Sequence, residues 1–368
     1  MQKKFGDKTL LSVVLIMLVF GLVMIASAGV IYSQTMYGDA YYFFKHQLFF
    51  GVLPGLFVLW LFQKIDYHFW RKLAVPFFFA SVICLILVFV PGVGSKVYGA
   101  SRWLQLGPFS FQPSEMAKLS IIIYLAAWLE SRGAQRIKDV FEGLLPFLGI
   151  MGVVGFLIMK QPDTGTLGVI VLTSFAIFFV SGARMNHLVS MSAASAFGMW
   201  ILVKIEPYRF NRILAFMNPA ADPQGIGYQI NQALLAVGSG GLFGVGLGHS
   251  RQKFNYLPEP VGDSIFAIIG EELGLIGGVI LVILFVIVAF RGIKIAKNAP
   301  DMFGRLVATG ITIWIVLQAF INIGANIALV PLTGIPLPFI SYGGTSLIFL
   351  MSAVGILLNI SKQADLEN

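Results

Sequence analysis

Long apolar runs alternate with short polar segments along most of this chain. Ten runs are near the roughly 20 residues that an α-helix needs to cross a bilayer, although two of them, 115–129 and 143–159, are short. We therefore predict ten transmembrane helices, at residues 10–31, 47–63, 74–91, 115–129, 143–159, 165–181, 187–203, 264–290, 306–327 and 342–360. The first run also fits the core of a signal peptide, but further runs follow it, so we interpret it as an uncleaved helix.

Three polar interruptions are unlike simple turns. The segment 92–114 is too polar to span a bilayer and too apolar for a free loop, so we expect an interfacial or re-entrant segment. The segment 204–263 is about 60 residues long, which predicts a functional loop or one with helices of its own. Residues 331–346 contain three prolines and three glycines, so they cannot continue a helix and are expected to form a re-entrant loop.

The composition excludes an ordinary soluble protein. The chain is 57% hydrophobic and 11% charged, whereas a soluble domain has about 25% charged residues. Since no polar segment is long enough to build a soluble domain, we predict an all-α polytopic membrane protein with a single domain over residues 1–368. In such a protein the net charge of +8 reports orientation and contact with lipid headgroups, and nucleic acid is not an expected partner.

Basic residues predict the orientation of the helices. Fifteen of the 25 lysines and arginines fall on one side of the predicted helices, and only five lie in the short loops and helix ends of the other side. The excess marks the cytoplasmic side, so both termini are predicted to be cytoplasmic, and the loop 204–263 between helices seven and eight to be extracytoplasmic. The lone Cys84 and four scattered histidines lack the spacing of a disulfide or a metal site.

Candidate chemistry concentrates at residues 255–274, which hold four of the 17 acidic residues. Carboxylates near a bilayer are costly, so they usually mark a pathway, an ion pair or a chemical site. Asp263 directly precedes an apolar run, so it is either the N-cap of the next helix or a chemical group. Glu271 and Glu272 lie about 12 Å further along that helix and need a partner or a water-filled cavity.

Other polar positions lie on the same predicted outer side. Glu115 and Lys118 are three residues apart, hence on one helical face, and form either an exposed ion pair or a charged pair lining a cavity beside Asp263. Asp163 lies in a polar turn between helices five and six, which is either a plain hairpin or part of the same site.

Two further pairs have both a chemical and a structural interpretation. Arg209 and Arg212 suit an anionic ligand such as a phosphate, or are solvated surface charges. Ser341 and Tyr342 either bind a polar headgroup or satisfy the backbone of their own loop.

Two other features have sufficient structural explanations. Asn322 and Asn326, four residues apart in the ninth predicted helix, are explained by hydrogen bonds between helices. The glycine run 238–248 lacks the preceding strand and the Gly-Lys-Ser/Thr ending of a nucleotide-binding loop. Its glycines are therefore expected to permit tight turns or close helix approach.

Taken in order, these motifs resemble the SEDS family (shape, elongation, division and sporulation), and its division branch most closely. The similarity covers essentially the whole chain, and the ordered set is far more specific than any one motif. The residues that carry it are 101–104, 107–115, 118, 161–165, 209–219, 222–223, 227–229, 246–248, 257–259, 263, 270–274 and 338–344. One departure is Pro-Val-Gly at residues 260–262, where the family often has Ala-His-Thr before the aspartate.

The resemblance implies a ten-helix fold and a peptidoglycan glycosyltransferase that polymerises lipid II at the outer side of the bacterial cytoplasmic membrane, for septal wall synthesis. It implies that Asp263 is catalytic and that Glu115 and Lys118 are the family's charged pair. The implied partners are lipid II, a class B penicillin-binding protein that acts as transpeptidase, and other division proteins. Other interpretations are a lipid II flippase, an elongation polymerase or sporulation homologue of the same family, and a scaffold without chemistry.

The residues fit this chemistry. Glycan extension needs a sugar hydroxyl to attack an anomeric carbon while a polyprenyl pyrophosphate leaves, and a carboxylate such as Asp263 acts as general base. The family's β-linked product from an α-linked donor implies a single inverting displacement without an enzyme nucleophile. The predicted substrate contacts are Glu115, Lys118, Arg102, Asp163, Arg209, Arg212, Glu259, Ser341 and Tyr342, with the four cations as candidates to steady the pyrophosphate. The sequence requires no cofactor and contains no metal-ligand cluster, and a divalent cation is an open option.

Overall fold

The computed structural model of the protein describes residues 6–97, 100–106, 109–205, 207–219, 225–254 and 256–364. Of the motifs above, Gly107-Pro108 and Asp222-Pro223 lie outside these ranges.

Helices account for most of the described residues. They are α1 Lys8–Ala28, α2 Val30–Tyr37, α3 Tyr42–Gln47, α4 Leu53–Phe62, α5 His68–Leu87, α6 Pro113–Ile137, α7 Leu145–Lys160, α8 Thr164–Val180, α9 Met185–Ile205, α10 Pro207–Met217, α11 Ile226–Ser239, α12 Ile265–Lys297, α13 Met302–Asn326 and α14 Gly344–Gln363. Two π-helical segments extend this set: Leu48–Val52 joins α3 to α4, and Val140–Leu144 leads into α7.

Each of the ten predicted spans falls on a helix, the second one on the continuous stretch from α3 to α4. Within the part of the chain that the structure describes, seven helices are long and apolar enough to cross a membrane. The other three predicted spans correspond to α6, α8 and α9. The seven helices indicate a multi-pass membrane protein, and the count of ten crossings stays a prediction.

A small sheet corrects the all-α prediction, so the fold is mostly helical rather than wholly so. The strands are β1 Gly94–Val97, β2 Ala100–Leu106 and β3 Phe109–Phe111, paired antiparallel in the order β1-β2-β3. Residues 101–106 do not alternate polar and apolar side chains, which is the pattern by which a strand is predicted. The sequence therefore indicated an unusual segment here but not its strands.

The described part of the long loop 204–263 contains two helices, α10 and α11, which agrees with the expectation that the loop carries helices of its own. Helix α11 packs along α12, and α10 contacts both α9 and α11. The loop is thus held against the helical bundle rather than extending away from it.

Helix α12 is interrupted near one end, at Gly274, whose φ of 67° lies in the left-handed region. The interruption leaves backbone groups without partners in the helix, and the glycine-rich segment of the preceding loop supplies them. Val245 N–H donates to Glu271 O at 3.0 Å, and Leu275 N–H donates to Gly241 O at 2.9 Å. The irregular backbone is thereby satisfied inside the protein, as a membrane helix requires.

Helix α13 lies at the centre of the bundle. It packs against α12, α8, α6 and α14, and Trp314 in its middle is fully buried. The chain then runs without helix or strand through residues 327–343, here called the connecting segment, of which 335–341 are largely buried. Helix α1 approaches this segment so closely that a Cβ added at Gly21 would lie 2.5 Å from the Phe339 carbonyl oxygen. The packing thus brings the connecting segment against the bundle.

Candidate active site

Three amide side chains form one polar stripe on α13. Gln318, Asn322 and Asn326 are four residues apart, hence on one helical face, and all three are buried. Buried amides are normally hydrogen-bonded, and these three bind the connecting segment and the turn before α12. The stripe therefore positions both.

The two asparagines hold Asp263 by its main chain. Asn322 Nδ2 donates to Asp263 O and to Ile335 O, both at 2.8 Å, and Asn326 Nδ2 donates to Asp263 O at 2.9 Å. The bonds thus reach a turn and a loop, rather than a neighbouring helix as the sequence suggested. Because one carbonyl oxygen is bound by two amides, the backbone at Asp263 is fixed while its carboxylate stays outside these bonds.

The connecting segment fixes the two residues that precede Asp263. Ser341 Oγ donates to Gly262 O at 2.7 Å and accepts a main-chain N–H of its own segment at 2.7 Å. Tyr342 N–H donates to Val261 O at 2.8 Å. Ser341 and Tyr342, both predicted substrate contacts, therefore support the turn that carries the candidate catalytic residue.

Glu259, another predicted substrate contact, closes that turn. Its carbonyl oxygen accepts from Gly262 N–H at 3.0 Å and from Ser264 N–H at 3.3 Å. Its φ of 48° is uncommon for a residue with a side chain. The turn also brings the Glu259 carboxylate near enough to act electrostatically on Asp263.

The Asp263 carboxylate does not cap the following helix. Helix α12 begins at Ile265, and its N-cap, Ser264, makes no side-chain capping bond. Oδ1 of Asp263 is buried and accepts no hydrogen bond from the described residues, although the residue as a whole is partly exposed. The N-cap interpretation is therefore wrong, and an unsatisfied carboxylate oxygen suits a proton acceptor.

Electrostatics tune the same carboxylate. Burial, and next the neighbouring Glu259 carboxylate, raise the pKa of Asp263 to about 7, while backbone N–H groups and the Arg212 guanidinium act in the lowering direction. A general base works best when its pKa lies near the operating pH. At neutral pH an appreciable fraction of Asp263 is thus ionised and the carboxylate retains basicity.

The charged pair on α6 is buried, so the exposed-pair interpretation is wrong. Lys118 Nζ lies 2.8 Å from Glu115 Oε1, and each side chain is only 2% exposed. Lys118 Nζ also donates to Gln318 Oε1 at 2.8 Å, and Gln318 Nε2 donates to Pro336 O at 2.9 Å. The pair is therefore joined to the connecting segment through the first amide of the α13 stripe.

The pair and Asp263 are connected through neighbouring turns of α13. Gln318 contacts Lys118, and Asn322, one turn further on, contacts Asp263. The structure thus links the two groups that the sequence placed at one site, and the link is a hydrogen-bonded support rather than an open wall of a cavity.

Arg102 and Asp163 shape one turn between α7 and α8. Arg102, on β2, donates from Nε to Gln161 O at 3.0 Å and from Nη2 to Pro162 O at 2.5 Å. Asp163 is buried and accepts from Thr166 N–H at 3.1 Å, so it is the N-cap of α8. These contacts favour the hairpin interpretation of Asp163 and tie the sheet to the helical bundle.

The two arginines of α10 differ in their relation to the site. Arg212 Nη1 donates to Leu332 O at 2.9 Å, and its charge acts on Asp263, so it lies at the site. Arg209 lies one turn earlier on α10 and is partly exposed. Arg212 is therefore the cation best placed to meet an anionic substrate group beside Asp263.

The two deeper carboxylates have partners that explain them. Glu272 accepts from Ser27 Oγ at 2.7 Å and lies 3.1 Å from Lys253 Nζ. Glu271 accepts from Ser250 Oγ and, at 2.8 Å, from the N–H of Arg251. They therefore have the partners that buried acids need, and they anchor the segment that leads into the turn of Asp263.

The position that sequence reasoning misses is Gln318, which joins the charged pair to the connecting segment. Its signal is present in the sequence, because Gln318, Asn322 and Asn326 repeat at the helical spacing of four within an apolar run. The three acceptors that these amides reach outside α13, namely Asp263 O, Ile335 O and Pro336 O, carry no sequence signal, since all are main-chain carbonyls.

No group of three or more His, Cys, Asp or Glu side chains is arranged to hold a metal ion within the described ranges. Proteins often hold Mg²⁺ through one or two carboxylates together with substrate phosphates. Asp263 and Glu259 supply two carboxylates at one turn. A divalent cation shared with a pyrophosphate substrate would fit this donor set.

Comparison with known proteins covers nearly the whole chain. The sequence model of the FtsW, RodA and SpoVE family, described as a cell cycle protein, matches residues 7–366. Stage V sporulation protein E of Bacillus subtilis (strain 168) is 44% identical over 361 residues, which are 98% of this chain and 98% of that protein. The probable peptidoglycan glycosyltransferase FtsW of Geobacter sp. (strain M18) is 40% identical over 357 residues, 97% of each protein.

A solved structure shares the fold. One chain of a peptidoglycan synthase complex, studied for the structural coordination of polymerization and crosslinking, matches with a TM-score of 0.82 at 29% identity. The match covers 97% of this chain and 98% of that chain, so the fold is common to both over their whole length.

Proposed function

Because this chain belongs to the FtsW, RodA and SpoVE family of cell cycle proteins, we propose that it is a peptidoglycan glycosyltransferase that polymerises lipid II at the outer face of the bacterial cytoplasmic membrane. The observation that carries the proposal is the Asp263 carboxylate: one of its oxygens is buried and accepts no hydrogen bond from the described residues, and two asparagines hold its backbone. The name of the FtsW relative, which is similar over 97% of this chain, supports the reaction class.

In the proposed reaction Asp263 acts as general base. It accepts the proton of a sugar hydroxyl while that oxygen forms a bond to the anomeric carbon of a second lipid II molecule. The bond from that carbon to the pyrophosphate oxygen breaks at the same time, so the polyprenyl pyrophosphate leaves and the configuration inverts. Arg212 steadies the leaving charge, whereas Lys118 is already neutralised by Glu115.

The arrangement in the membrane follows from the same proposal. Ten crossings with both termini in the cytoplasm place Asp263 and the connecting segment on the outer side, where lipid II presents its sugars. A class B penicillin-binding protein is the expected transpeptidase partner, beside other division proteins. The likeness to a chain of a synthase complex that coordinates polymerization and crosslinking supports such a partner.

Septal wall synthesis in cell division is the proposed role, and wall synthesis during sporulation is a second candidate. The FtsW relative is 40% identical to this chain and the sporulation relative 44%. Because the two identities are similar, they support a role in sporulation as well as one in division. Pulldown with this protein as bait, from dividing and from sporulating cells, identifies the transpeptidase that it binds in each and so distinguishes the two roles. A role in cell elongation predicts that a third, different transpeptidase is recovered in the same experiment.

A flippase would need a transport path, and interrupted helices often form one. The interruption of α12 at Gly274 does not serve this purpose well. Its open backbone groups bind the loop of the same chain, for example Gly246 N–H to Glu272 O at 3.0 Å, and so are not available to a substrate. This favours the polymerase over the flippase.

The direct test uses purified lipid II and the protein in detergent, with and without a class B penicillin-binding protein. We expect glycan chains, resolved by gel electrophoresis. If no chains form under either condition while labelled lipid II crosses proteoliposomes that contain the protein, the polymerase proposal is wrong and the flippase replaces it.

The pH dependence of polymerisation is a second prediction. Asp263 must lose its proton before it can accept one. The rate of polymerisation should therefore be low in acid and rise as the pH increases through about 7. The measurement is the initial rate of chain formation between pH 5 and 9, which covers about two units on either side of that value.

Two variants should shift this rising limb in opposite directions. Glu259→Gln removes a charge that raises the pKa of Asp263, so the limb moves to lower pH; Arg212→Gln removes one that lowers it, so the limb moves to higher pH. Shifts of the same sign, or no shift in either variant, would remove Asp263 as the titrating base.

A further inference from the structure

Helix α3 ends beside the connecting segment, and one buried side chain joins the two. Gln47 is the last residue of α3 and is only 1% exposed. Its Oε1 accepts from Gly343 N–H at 3.0 Å, and its Nε2 donates to Ser341 O at 3.4 Å. The amide thus binds the backbone on both sides of Tyr342, which requires a side chain that is both a donor and an acceptor.

The residue before Gln47 makes a third contact with the same stretch. His46 Nδ1 lies 2.9 Å from the Tyr342 hydroxyl, which is hydrogen-bond distance. The Tyr342 ring also packs edge-on against Phe43 of α3, with the ring centroids 4.9 Å apart. Helix α3 therefore holds residues 341–343 by their backbone and by the side chain between.

The backbones of the two segments are about as close as glycine permits. A Cβ added at Gly51 would lie 3.3 Å from Gly344 Cα, and one added at Gly344 would lie 3.0 Å from Phe50 O. Gly51 belongs to the π-helical segment Leu48–Val52, which follows Gln47 directly. Single π-helical turns are rare and occur frequently at functional sites. This one lies where α3 meets the connecting segment.

The other side of the same stretch binds the turn of the candidate base. The Ser341 hydroxyl donates to Gly262 O at 2.7 Å. The Tyr342 N–H donates to Val261 O at 2.8 Å. Both acceptors directly precede Asp263, so a shift of this stretch moves the main chain that carries the carboxylate. Small misplacements of a reacting group cost large factors in rate.

We propose that Gln47 is a positioning residue for the polymerisation reaction: by holding residues 341–343 against α3, it sets the place of the Asp263 carboxylate. Its action passes through the backbone of the connecting segment rather than to the substrate. The inference rests on the proposed function, because it takes Asp263 as the general base. The hydrogen-bonded connection itself exists in the absence of substrate, so it can be measured separately from activity.

The first measurement is hydrogen–deuterium exchange of the full chain in detergent, read by mass spectrometry on peptides that cover residues 257–264. Gln47→Met removes both amide hydrogen bonds and keeps a side chain of similar length. The N–H groups of Gly262 and Ser264, which bind Glu259 O, should exchange about 10-fold faster, because the turn that they close opens more often. This result requires no polymerase activity.

The second measurement is the initial rate of polymerisation against lipid II concentration, between pH 5 and 9. In Gln47→Met, kcat should fall about 10- to 100-fold with KM little changed, because the base is displaced while the groups that bind lipid II remain. A general loss of folded protein would also lower kcat, so the pH profile is needed to separate the two causes.

The rising limb of that profile should move to lower pH in Gln47→Met. Burial and the Glu259 carboxylate raise the pKa of Asp263, and Arg212 acts in the lowering direction. A loosened turn admits water and separates the two carboxylates, so the pKa falls. Loss of folded protein alone would lower the rate equally at every pH and leave the limb in place.

Two further variants provide a matched control and a milder change. Gln34→Met alters an exposed glutamine of α2, whose Nε2 donates to Gly38 O at 3.3 Å, and it should keep the exchange rates, kcat and the limb. Tyr342→Phe loses the hydroxyl near His46 but keeps the ring and the N–H that binds Val261. It should lower kcat less than Gln47→Met and shift the limb in the same direction, even if Gln47→Met does not fold.

The outcomes separate this inference from the proposed function. Exchange and kcat in Gln47→Met equal to those of Gln34→Met would overturn the positioning role while the polymerase stands. A lower kcat with an unmoved limb and unchanged exchange at residues 257–264 would also overturn it, since the loss would be one of folded protein. If the unaltered protein forms no chains, the proposed function fails and the catalytic role of Gln47 fails with it, whereas faster exchange would still show that Gln47 holds the turn.

Discussion

Asp263→Asn is expected to lower the rate of lipid II polymerisation by about 10²–10⁴-fold, which is the usual contribution of a positioned general base. The amide has nearly the shape of the carboxylate, and the main-chain carbonyl that Asn322 and Asn326 bind is unchanged. The turn should therefore keep its structure while losing its proton acceptor. The measurement is the initial rate of glycan chain formation at the pH optimum of the unaltered protein.

A matched control separates the loss of the base from the loss of any outer carboxylate. Asp39 lies on the same predicted side of the membrane, in an exposed ion pair with Lys45 at 2.8 Å. Asp39→Asn should leave the rate within experimental error, because such pairs contribute little. If Asp263→Asn polymerises lipid II as fast as the Asp39→Asn protein, Asp263 is not the base, although the reaction itself would stand.

The outline of the fold could be predicted because a bilayer permits few backbone arrangements. Every backbone polar group in the hydrocarbon region must be satisfied internally, so long apolar runs become helices, and each predicted span falls on one. The requirement for internal backbone hydrogen bonds in the bilayer does not predict the sheet between α5 and α6. It lies outside the long apolar runs, where residues 101–106 show no strand period.

The candidate site could be predicted in part. Asp263 was identifiable because a carboxylate before an apolar helix is costly and therefore conspicuous. What the sequence could not show is that its carbonyl oxygen, not its side chain, is the group that holds it in place. Contacts of this kind join residues such as Asn322 and Asp263, which are 59 positions apart, to main-chain atoms that have the same chemistry at every residue.

The same limit applies to residues for which the sequence left both a chemical and a structural interpretation open. Ser341 and Asp163 have the polar side chains that a substrate contact needs, so sequence reasoning included them. In the structure Ser341 bonds Gly262 O, and Asp163 caps α8. A short polar side chain near a turn binds the local backbone as readily as a ligand, and only the distances decide between the two.

The largest effect on stability is expected from the buried pair on α6. Lys118→Met leaves the Glu115 carboxylate buried without its counter-charge, which should cost about 3–5 kcal/mol of folding free energy. It also removes one of the two donors to Gln318 Oε1, which keeps only the Trp314 Nε1 donor at 2.8 Å. The measurement is thermal unfolding of the purified protein in detergent micelles.

The exposed pair of Arg136 and Glu142, 3.4 Å apart, provides the matched control, since Arg136→Met should cost less than about 1 kcal/mol. The double variant Glu115→Gln/Lys118→Met should recover most of the lost stability, because the penalty comes from the unpaired charge rather than from the absence of the pair. A Lys118→Met protein as stable as the Arg136→Met control would mean that water reaches Glu115. The pair would then line an open cavity beside Asp263, as the sequence alone allowed, and its role would move from supporting the connecting segment to contacting substrate.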